Sequence, residues 1–455
     1  MHINAAFDWK CQPEAEAIVM NALKQAALAN PLIAKLEHEL LAYTSTRLFD
    51  WLDHVILGYS RALESELSNS GYRIEFSGLD YRVYHHPGAQ LPRIIVKDEG
   101  LPVMGVAVAV ESIADFLMVR GLMAWIEGTP FSAYRRCCVA IENSVSLWAV
   151  ERRGSRAMEP AHSDLTHADR YFEAQELWQM RPRSIEDEEE AFAKTLSIAE
   201  EIIEMLGRDM AAWLVLEIER KYWQARNTAG QLQKSRQDHL GMGWANHDHH
   251  TFRSSRKHFT KLVRLFEMLG FACRERFYAG QEAGWGAQVM ENPNAGLVLF
   301  LDVDLEGHEI GIDFAHQPLS EQSHLGTIGL WCALHGDSIL KSGMHHLEAQ
   351  FMFEELTNDL NKAGVGMMEP FSNFPYLKQA FTRGELWKVD PMRLEQLIKK
   401  GIIDHTQADK FQRDGAIGSH LENLQRREGY KGFNQKNVSI IIKETDPRKA
   451  LQGDS

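Results

Sequence analysis

Residues His247–Arg253, HDHHTFR, place three histidines in a short stretch with strand character, and SSRKHFTKLVRLFEMLGF follows directly. The second segment predicts an amphipathic helix, with Ser254 as its N-cap and Gly270 at its end. Its apolar residues recur at helical spacing: they are Phe259, Leu262, Val263, Phe266 and Leu269. A strand followed by such a helix predicts the start of a βα unit.

Side chains alternate between the two faces of a strand. HDHHTFR therefore predicts His247, His249, Thr251 and Arg253 on one face, with His250 and Phe252 on the other. The first face combines imidazole nitrogens with a guanidinium. It predicts a surface that binds a metal and an anion.

The order strand, helix, three strands recurs along the chain. Strand-type runs begin at residues 53, 247 and 344, a helical segment follows each, and further strand-type runs follow the helix. The last of these runs lie at 365–369, 376–381 and 385–389. The repeat is one of element order and not of residue identity. It predicts an α+β fold with paired βαβββ modules and helical insertions.

We divide the 455 residues into four segments. They are an N-terminal α+β unit with a degenerate βαβββ order (1–155), a helical insert (156–240), a paired βαβββ metal-binding domain (241–390), and C-terminal helices with a strand (391–455). The strand in the last segment is predicted at Val438–Ile442.

Composition and charge argue against nucleic acid and membranes as binding partners. The net charge of −14 comes without a strongly basic stripe, which argues against nucleic acid. No apolar run is long enough to span a bilayer, and the N-terminus MHINAAFDWK lacks the pattern of a signal peptide. The five cysteines are scattered without CxxC spacing. These features predict a cytoplasmic protein that binds neither membrane nor nucleic acid.

A second histidine pair provides more candidate ligands. His346 and Glu348 share one strand face, and Glu385 begins a later strand. Two histidines and one carboxylate form a facial triad, which leaves coordination positions open and suits Fe(II). We therefore predict His249, His346 and Glu385 as metal ligands. Alternatives remain open: His247 or His250 for the first position, His345 for the second, and Glu348, Glu369 or Glu306 for the carboxylate.

Several other kinds of site do not match the sequence. HExxH, GxSxG and P-loop motifs do not occur, and GQEAGWGAQ lacks the glycine order of a dinucleotide-binding loop. His247-x-His249 is similar to a cupin motif, but Arg253 and two serines occupy the positions where a carboxylate is expected.

The βαβββ units with a histidine in each first strand resemble the vicinal-oxygen-chelate superfamily. Within it, His249-x-x-x-Arg253 and His346 in HHLEA resemble the 2-oxoadipate dioxygenase/decarboxylase (hydroxyglutarate synthase) family, mainly over residues 245–390. The resemblance implies a half-barrel around Fe(II), with His249, His346 and Glu385 as ligands. It also implies that Arg253 holds the distal carboxylate of the substrate.

The expected activity is oxidative decarboxylation and hydroxylation of a 2-oxo acid such as 2-oxoadipate, with dioxygen as co-substrate. An inward-facing arginine is costly unless it meets an anion, so Arg253 also predicts an anionic ligand. Two alternatives remain. One is another metalloenzyme of the superfamily (a lyase, an isomerase or a ring-cleaving dioxygenase), and the other is a metal-free binding protein of the same fold.

Overall fold

The computed structural model describes residues 9–98, 100–281, 283–322, 324–433 and 446–448. Two open β-sheets are each built from two βαβββ modules, and helices precede, separate and cover them. The predicted α+β class with paired modules is confirmed. Among the described residues, no helix has an apolar stretch that would reach across a bilayer.

The N-terminal half contains two leading helices, the first sheet with its own two helices, and four connecting helices. In chain order these elements are α1 (Pro13–Ala29), α2 (Pro31–Thr44), β1 (Leu52–Gly58), α3 (Arg61–Asn69), β2 (Arg73–Ser77), β3 (Tyr81–His85), β4 (Arg93–Lys97), β5 (Val103–Ala109), α4 (Ile113–Val119), β6 (Ile126–Glu127), β7 (Tyr134–Glu142), β8 (Val145–Arg152), α5 (His167–Gln179), α6 (Glu188–Leu206), α7 (Arg208–Gln224) and α8 (Thr228–Asp238).

The C-terminal half contains the second sheet, with helices between its strands. Its elements are β9 (His247–Arg253), α9 (Phe259–Met268), β10 (Ala272–Tyr278), β11 (Trp285–Asn292), β12 (Leu297–Asp304), α10 (Thr327–His335), β13 (His346–Gln350), α11 (Phe353–Lys362), β14 (Ser372–Phe374), β15 (Leu377–Phe381), β16 (Glu385–Trp387), α12 (Pro391–Lys399), α13 (His405–Asp414) and β17 (Ala416–Arg426).

The two sheets share one topology. The strand order is β2-β3-β4-β1-β5-β8-β7-β6 in the first sheet and β10-β11-β12-β9-β13-β17-β15-β14 in the second, where β16 also pairs with β17. The first strands of the two modules lie side by side and antiparallel at the centre, as β1 with β5 and β9 with β13. Each also pairs in parallel with the last strand of its own module.

Helix α9 buries the predicted apolar face, since Phe259, Leu262, Val263, Phe266 and Leu269 are all inaccessible to solvent. Gly270 follows the helix with φ of +87°, a left-handed conformation that favours glycine. The predicted N-cap was wrong. The helix begins at Phe259, because the hydroxyls of Ser254 and Ser255 donate to the Asp337 carboxylate instead.

Two local features of the N-terminal unit, a short helix and a turn, are not evident from the sequence pattern. The seven-residue helix α4 divides the N-terminal unit into two modules where one degenerate module was expected. Residues 134–152 form two strands, β7 and β8, because Asn143 and Ser144 turn the chain with positive φ.

The strand that completes the second sheet comes late in the chain. The prediction ended the last module at 389, whereas the sheet takes β17 as its final strand, after α12 and α13. Residues 416–426 were assigned on sequence to the C-terminal segment. The strand predicted at Val438–Ile442 lies outside the described residues.

The first sheet repeats part of the chemistry of the second. Asp53-His54 in β1 corresponds in register to Asp248-His249 in β9, because His54 lies opposite Ala107 in β5 and His249 opposite Glu348 in β13. Both aspartates pair with an arginine of the last strand. Asp53 Oδ2 lies 3.0 Å from Arg152 Nη2, and Asp248 Oδ1 lies 3.3 Å from Arg426 Nη2.

The same register shows what the first sheet lacks. Gly105 and Trp148 occupy the positions that His346 and Glu422 hold in the second sheet. Trp148 packs beside a small apolar cluster that includes Ile56 and Ile95 on this face. Of the residues His249, His346 and Glu422, only His249 has an equivalent in the first sheet, which is His54.

The buried Asp53–Arg152 pair should stabilise the first sheet. Arg152→Met removes the cation and leaves Asp53 buried without its charge partner, so we expect the free energy of unfolding to fall by about 3 kcal/mol. The measurement is chemical denaturation. Arg156→Met is the control, because Arg156 pairs with Glu75 near the surface and its loss should cost about 1 kcal/mol or less. Equal losses in the two variants would contradict the prediction.

Candidate metal centre and cavity

Three buried side chains converge on the inner face of the second sheet. They are His249 of β9, His346 of β13 and Glu422 of β17, and their potential ligand atoms lie within 4.8 Å of one another. Glu422 Oε2 is 3.0 Å from His346 Nε2 and 4.0 Å from His249 Nε2. Two imidazole nitrogens and one carboxylate oxygen therefore face a common point. This donor set could hold a divalent metal ion.

Strand register explains the convergence. β13 lies between β9 and β17, and Glu348 in β13 is directly opposite both His249 and Glu422. Directly opposed residues share a sheet face, and His346 lies two residues before Glu348 on the same strand. The inner face at this point therefore carries two histidines and two glutamates.

Glu348 lies behind the three converging residues. Its Oε1 is 3.2 Å from His249 Nδ1, while His249 Nε2 faces Glu422. Gln379 of β15 donates one amide group to both carboxylates, with Nε2 3.3 Å from Glu348 Oε2 and 3.2 Å from Glu422 Oε1. Carboxylates behind metal-binding histidines fix the imidazole orientation and the position of its proton.

The pKa values reflect two buried carboxylates in one small volume. Burial, and then repulsion from Glu348, raise the pKa of Glu422 well above its usual range. Burial opposes the charged form of His249, but Glu348 and Asp248 outweigh it and raise the His249 pKa to about 9. Burial, and then the neighbouring His249, hold the pKa of His346 well below its usual value. Without a metal ion, a proton on His249 balances part of this negative charge.

Glu385, a predicted ligand, does not join the two histidines. Its carboxylate accepts hydrogen bonds from the backbone N–H of Thr228 at 2.9 Å and from the Thr228 hydroxyl at 3.1 Å. On β16 it lies opposite Ser419, whereas the carboxylate beside the histidines is Glu422, further along β17. The structure brings Glu422 to this position because β17 is the strand adjacent to β13.

The rival residues lie in different places. His247 was predicted on the face of His249, but its ring packs 5.1 Å from that of His250, which contacts Arg220. A bulge in the β9–β13 pairing at Asp248 turns His247 away. His345 lines the same cavity as His346, with Nδ1 3.1 Å from the Gly418 carbonyl. Glu306 and Glu369 are exposed.

A cavity extends from the three converging residues. Aromatic side chains form much of its wall: they are Phe277, Trp285, Phe300, Phe371, Phe381 and Phe433. The His249 ring packs on Phe300 with 4.3 Å between centroids. The cavity thus has polar groups at defined points and apolar surface between them, as small-molecule sites usually do.

Arg253 lines this cavity on the same strand as His249. The two residues are four positions apart on the strand, so about 13 Å separates their Cα atoms. The Arg253 side chain is 3% exposed, and neither Nε nor Nη1 has a hydrogen-bond partner. Its guanidinium lies 5.5 Å from the centre of the Trp331 ring, and burial lowers its pKa to about 10.

Asp302 of β12 also lines the cavity and lies opposite Arg253 in register. Its Oδ2 is 3.9 Å from Arg253 Nε, which is too far for a hydrogen bond. Burial raises the Asp302 pKa to about 7, although Arg253 acts against this shift. Neither Asp302 nor Gln379 was a sequence candidate.

Comparisons with known proteins give slight similarities. Neither a family model nor a curated protein matches the chain. A triple mutant of 4-hydroxymandelate synthase from Streptomyces coelicolor is 11% identical with a TM-score of 0.27, over 88% of this chain and 98% of that one. A xylose isomerase-like TIM barrel/4-hydroxyphenylpyruvate dioxygenase fusion protein is 11% identical with a TM-score of 0.25, over 90% and 54%.

Methylmalonyl-CoA epimerase from Mycobacterium tuberculosis is 10% identical with a TM-score of 0.23, over 40% of this chain and 89% of that one.

The pairing of His249 with Glu348 gives a pH-dependent prediction. The His249 pKa of about 9 exceeds its ordinary 6.5, so the protonated imidazole stabilises the metal-free fold below pH 6.5, and this stabilisation is lost as the pH rises through 9. In Glu348→Gln, burial should dominate and move the His249 pKa towards or below 6.5. NMR titration of the metal-free protein, with the signal assigned through His249→Asn, measures this. The exposed variant Glu369→Gln should leave the titration unchanged, and an unchanged value in Glu348→Gln would refute the assignment.

Proposed function

We propose that the protein is a non-haem Fe(II)-dependent dioxygenase that oxidatively decarboxylates and hydroxylates a 2-oxo acid such as 2-oxoadipate. His249, His346 and Glu422 are the proposed metal ligands, and Arg253 is the proposed anion-binding residue. The supporting observation is that three donor atoms meet at one point of a cavity that also contains a buried guanidinium, two of whose nitrogens lack a hydrogen-bond partner. In this proposal Glu422 takes the role that the sequence suggested for Glu385.

The donor set fits a divalent ion on chemical grounds. Two neutral imidazoles and one carboxylate form a facial triad that leaves coordination positions free. Charge balance also favours a divalent ion, since its two positive charges neutralise the buried carboxylates of Glu422 and Glu348. The nearby Asp248 is already paired with Arg426. Metal binding at Nε2 of His249 would then displace the proton on that nitrogen, while the proton on Nδ1 stays beside Glu348.

Iron, when bound, supplies the Lewis acidity and redox chemistry by which a 2-oxo acid and dioxygen react. The protein's own residues perform the remaining tasks. Glu348 holds the proton of His249 at Nδ1 and so keeps Nε2 free, and Gln379 fixes the two carboxylates. The aromatic wall excludes water from the reacting groups.

Arg253 would bind the end of the substrate that is remote from the metal ligands. Nε and Nη1, which lack hydrogen-bond partners, lie on different edges of the guanidinium, and either of them together with Nη2 can donate to the two oxygens of a carboxylate. The separation of about 13 Å between the Cα atoms of His249 and Arg253 favours a substrate that spans two anchoring points. Such anchoring orients the reacting end of the substrate.

The first test is metal content with an anaerobic titration. We expect the parent protein to bind one equivalent of iron and to develop a charge-transfer band when 2-oxoadipate is added without oxygen. His249→Ala, His346→Ala and Glu422→Ala should lose metal binding, because each removes one of three donors. Glu385→Ala is the matched control and should retain iron, since Glu385 contacts Thr228.

Other outcomes separate the remaining functions. One such outcome is a protein that binds iron but shows no charge-transfer band, no oxygen uptake and no release of carbon dioxide. This result would exclude the proposed dioxygenase and favour a lyase, an isomerase or a ring-cleaving enzyme. If the parent protein binds no metal, the remaining hypothesis is a metal-free binding protein of the same fold. Loss of iron in Glu385→Ala but not in Glu422→Ala would overturn the ligand assignment.

A second test concerns Arg253. Arg253→Met keeps the bulk of the side chain but removes the charge, and should weaken binding of 2-oxoadipate by about 2 kcal/mol or more. Iron content should not change. Titration calorimetry with the iron-loaded protein under nitrogen measures the affinity. Unchanged affinity in Arg253→Met would show that the guanidinium does not bind the ligand.

A further inference from the structure

Asp302 gives the Arg253 end of the cavity a second charged group that the proposed function does not use. Its side chain is 8% exposed, and it faces the cavity beside Arg253. Among the described residues, no N–H or O–H group donates a hydrogen bond to its carboxylate, and the closest cation is Arg253 Nε at 3.9 Å. A buried carboxylate that lacks donors is unusual and indicates that a ligand supplies them.

The spacing of the two groups does not suit a purely structural ion pair. A buried arginine and aspartate that only stabilise the fold usually form short, paired hydrogen bonds. Here Nε and Nη1 of Arg253 and both oxygens of Asp302 keep their hydrogen-bonding capacity. The two residues lie on adjacent parallel strands in direct register, so the backbone holds them side by side.

Charge balance restricts what can bind there. Arg253 and Asp302 together are neutral when both are ionised. A simple carboxylate such as that of 2-oxoadipate can bind to Arg253, but it leaves a net negative charge beside the buried Asp302 carboxylate, which weakens its binding. A ligand end that carries a carboxylate and an adjacent ammonium group adds no net charge and satisfies both residues.

We propose that Arg253 and Asp302 together recognise an α-amino acid group, with its carboxylate on Arg253 and its ammonium on Asp302. Combined with the proposed function, on which this part rests, the substrate would be a 2-oxo acid whose far end is an amino acid. Thr251, between His249 and Arg253 on the strand, has a buried hydroxyl without a partner in the same cavity. It offers a further hydrogen bond to such a group.

The test uses metal-free full-length protein, so that it does not depend on the metal chemistry. The probes are glutarate and the two enantiomers of glutamate, which share one carbon chain and differ in the ammonium group. Titration calorimetry at pH 8 should show one glutamate enantiomer binding at least tenfold more tightly than glutarate. Asp302→Asn should abolish this preference, while Glu321→Gln, at an exposed position, should keep it.

The variants also separate the alternatives. If Asp302 instead carried a proton and donated it to a carboxylate, glutarate would bind at least as tightly as glutamate in the parent, and the proposal would be overturned. Failure of all three probes to bind would overturn it too. Circular dichroism of Asp302→Asn verifies the fold. A negative result leaves iron binding by His249, His346 and Glu422 unaffected, and loss of iron binding leaves the glutamate preference measurable.

Discussion

The antiparallel pairing of β9 with β13 is the constraint on which the rest of the second sheet depends. It joins the two βαβββ modules and places Glu348 directly opposite His249. Because β17 pairs in parallel with β13, the same register puts Glu422 beside Glu348. A shift by one residue would turn the side chains of one strand to the opposite face and separate the histidines.

Buried charge is the second constraint, and it accounts for much of the cavity. Asp248 meets Arg426, and Glu348 meets His249 and Gln379. Two groups of charged side chains that line the cavity are incompletely satisfied by the described residues: the cluster around Glu422, and the Arg253–Asp302 pair. Both lie where a metal ion or a small ligand could complete them. These charged groups line one cavity together, and their coincidence there is what points to a ligand.

The sequence predicted those parts of the fold and site that depend on local periodicity. HDHHTFR and its helix gave β9, α9 and the inward position of His249 and Arg253, because these follow from alternation along a single strand. Glu422 could not be predicted in this way. Its strand follows two helices, α12 and α13, that interrupt the last module, and strand pairing across such an insertion leaves no local signal. His247 was misplaced for a related reason, since a bulge depends on the partner strand.

The first sheet keeps the Asp53–Arg152 bridge although glycine and tryptophan replace two of the three donor positions. The paired βαβββ modules of the first sheet therefore fold without the full set of three proposed metal-binding residues. The ligand atoms of the second sheet are likewise already gathered by strand pairing and by Gln379. The metal-free protein would then already be a folded receptor, and a bound metal ion could be lost and replaced without refolding of the chain.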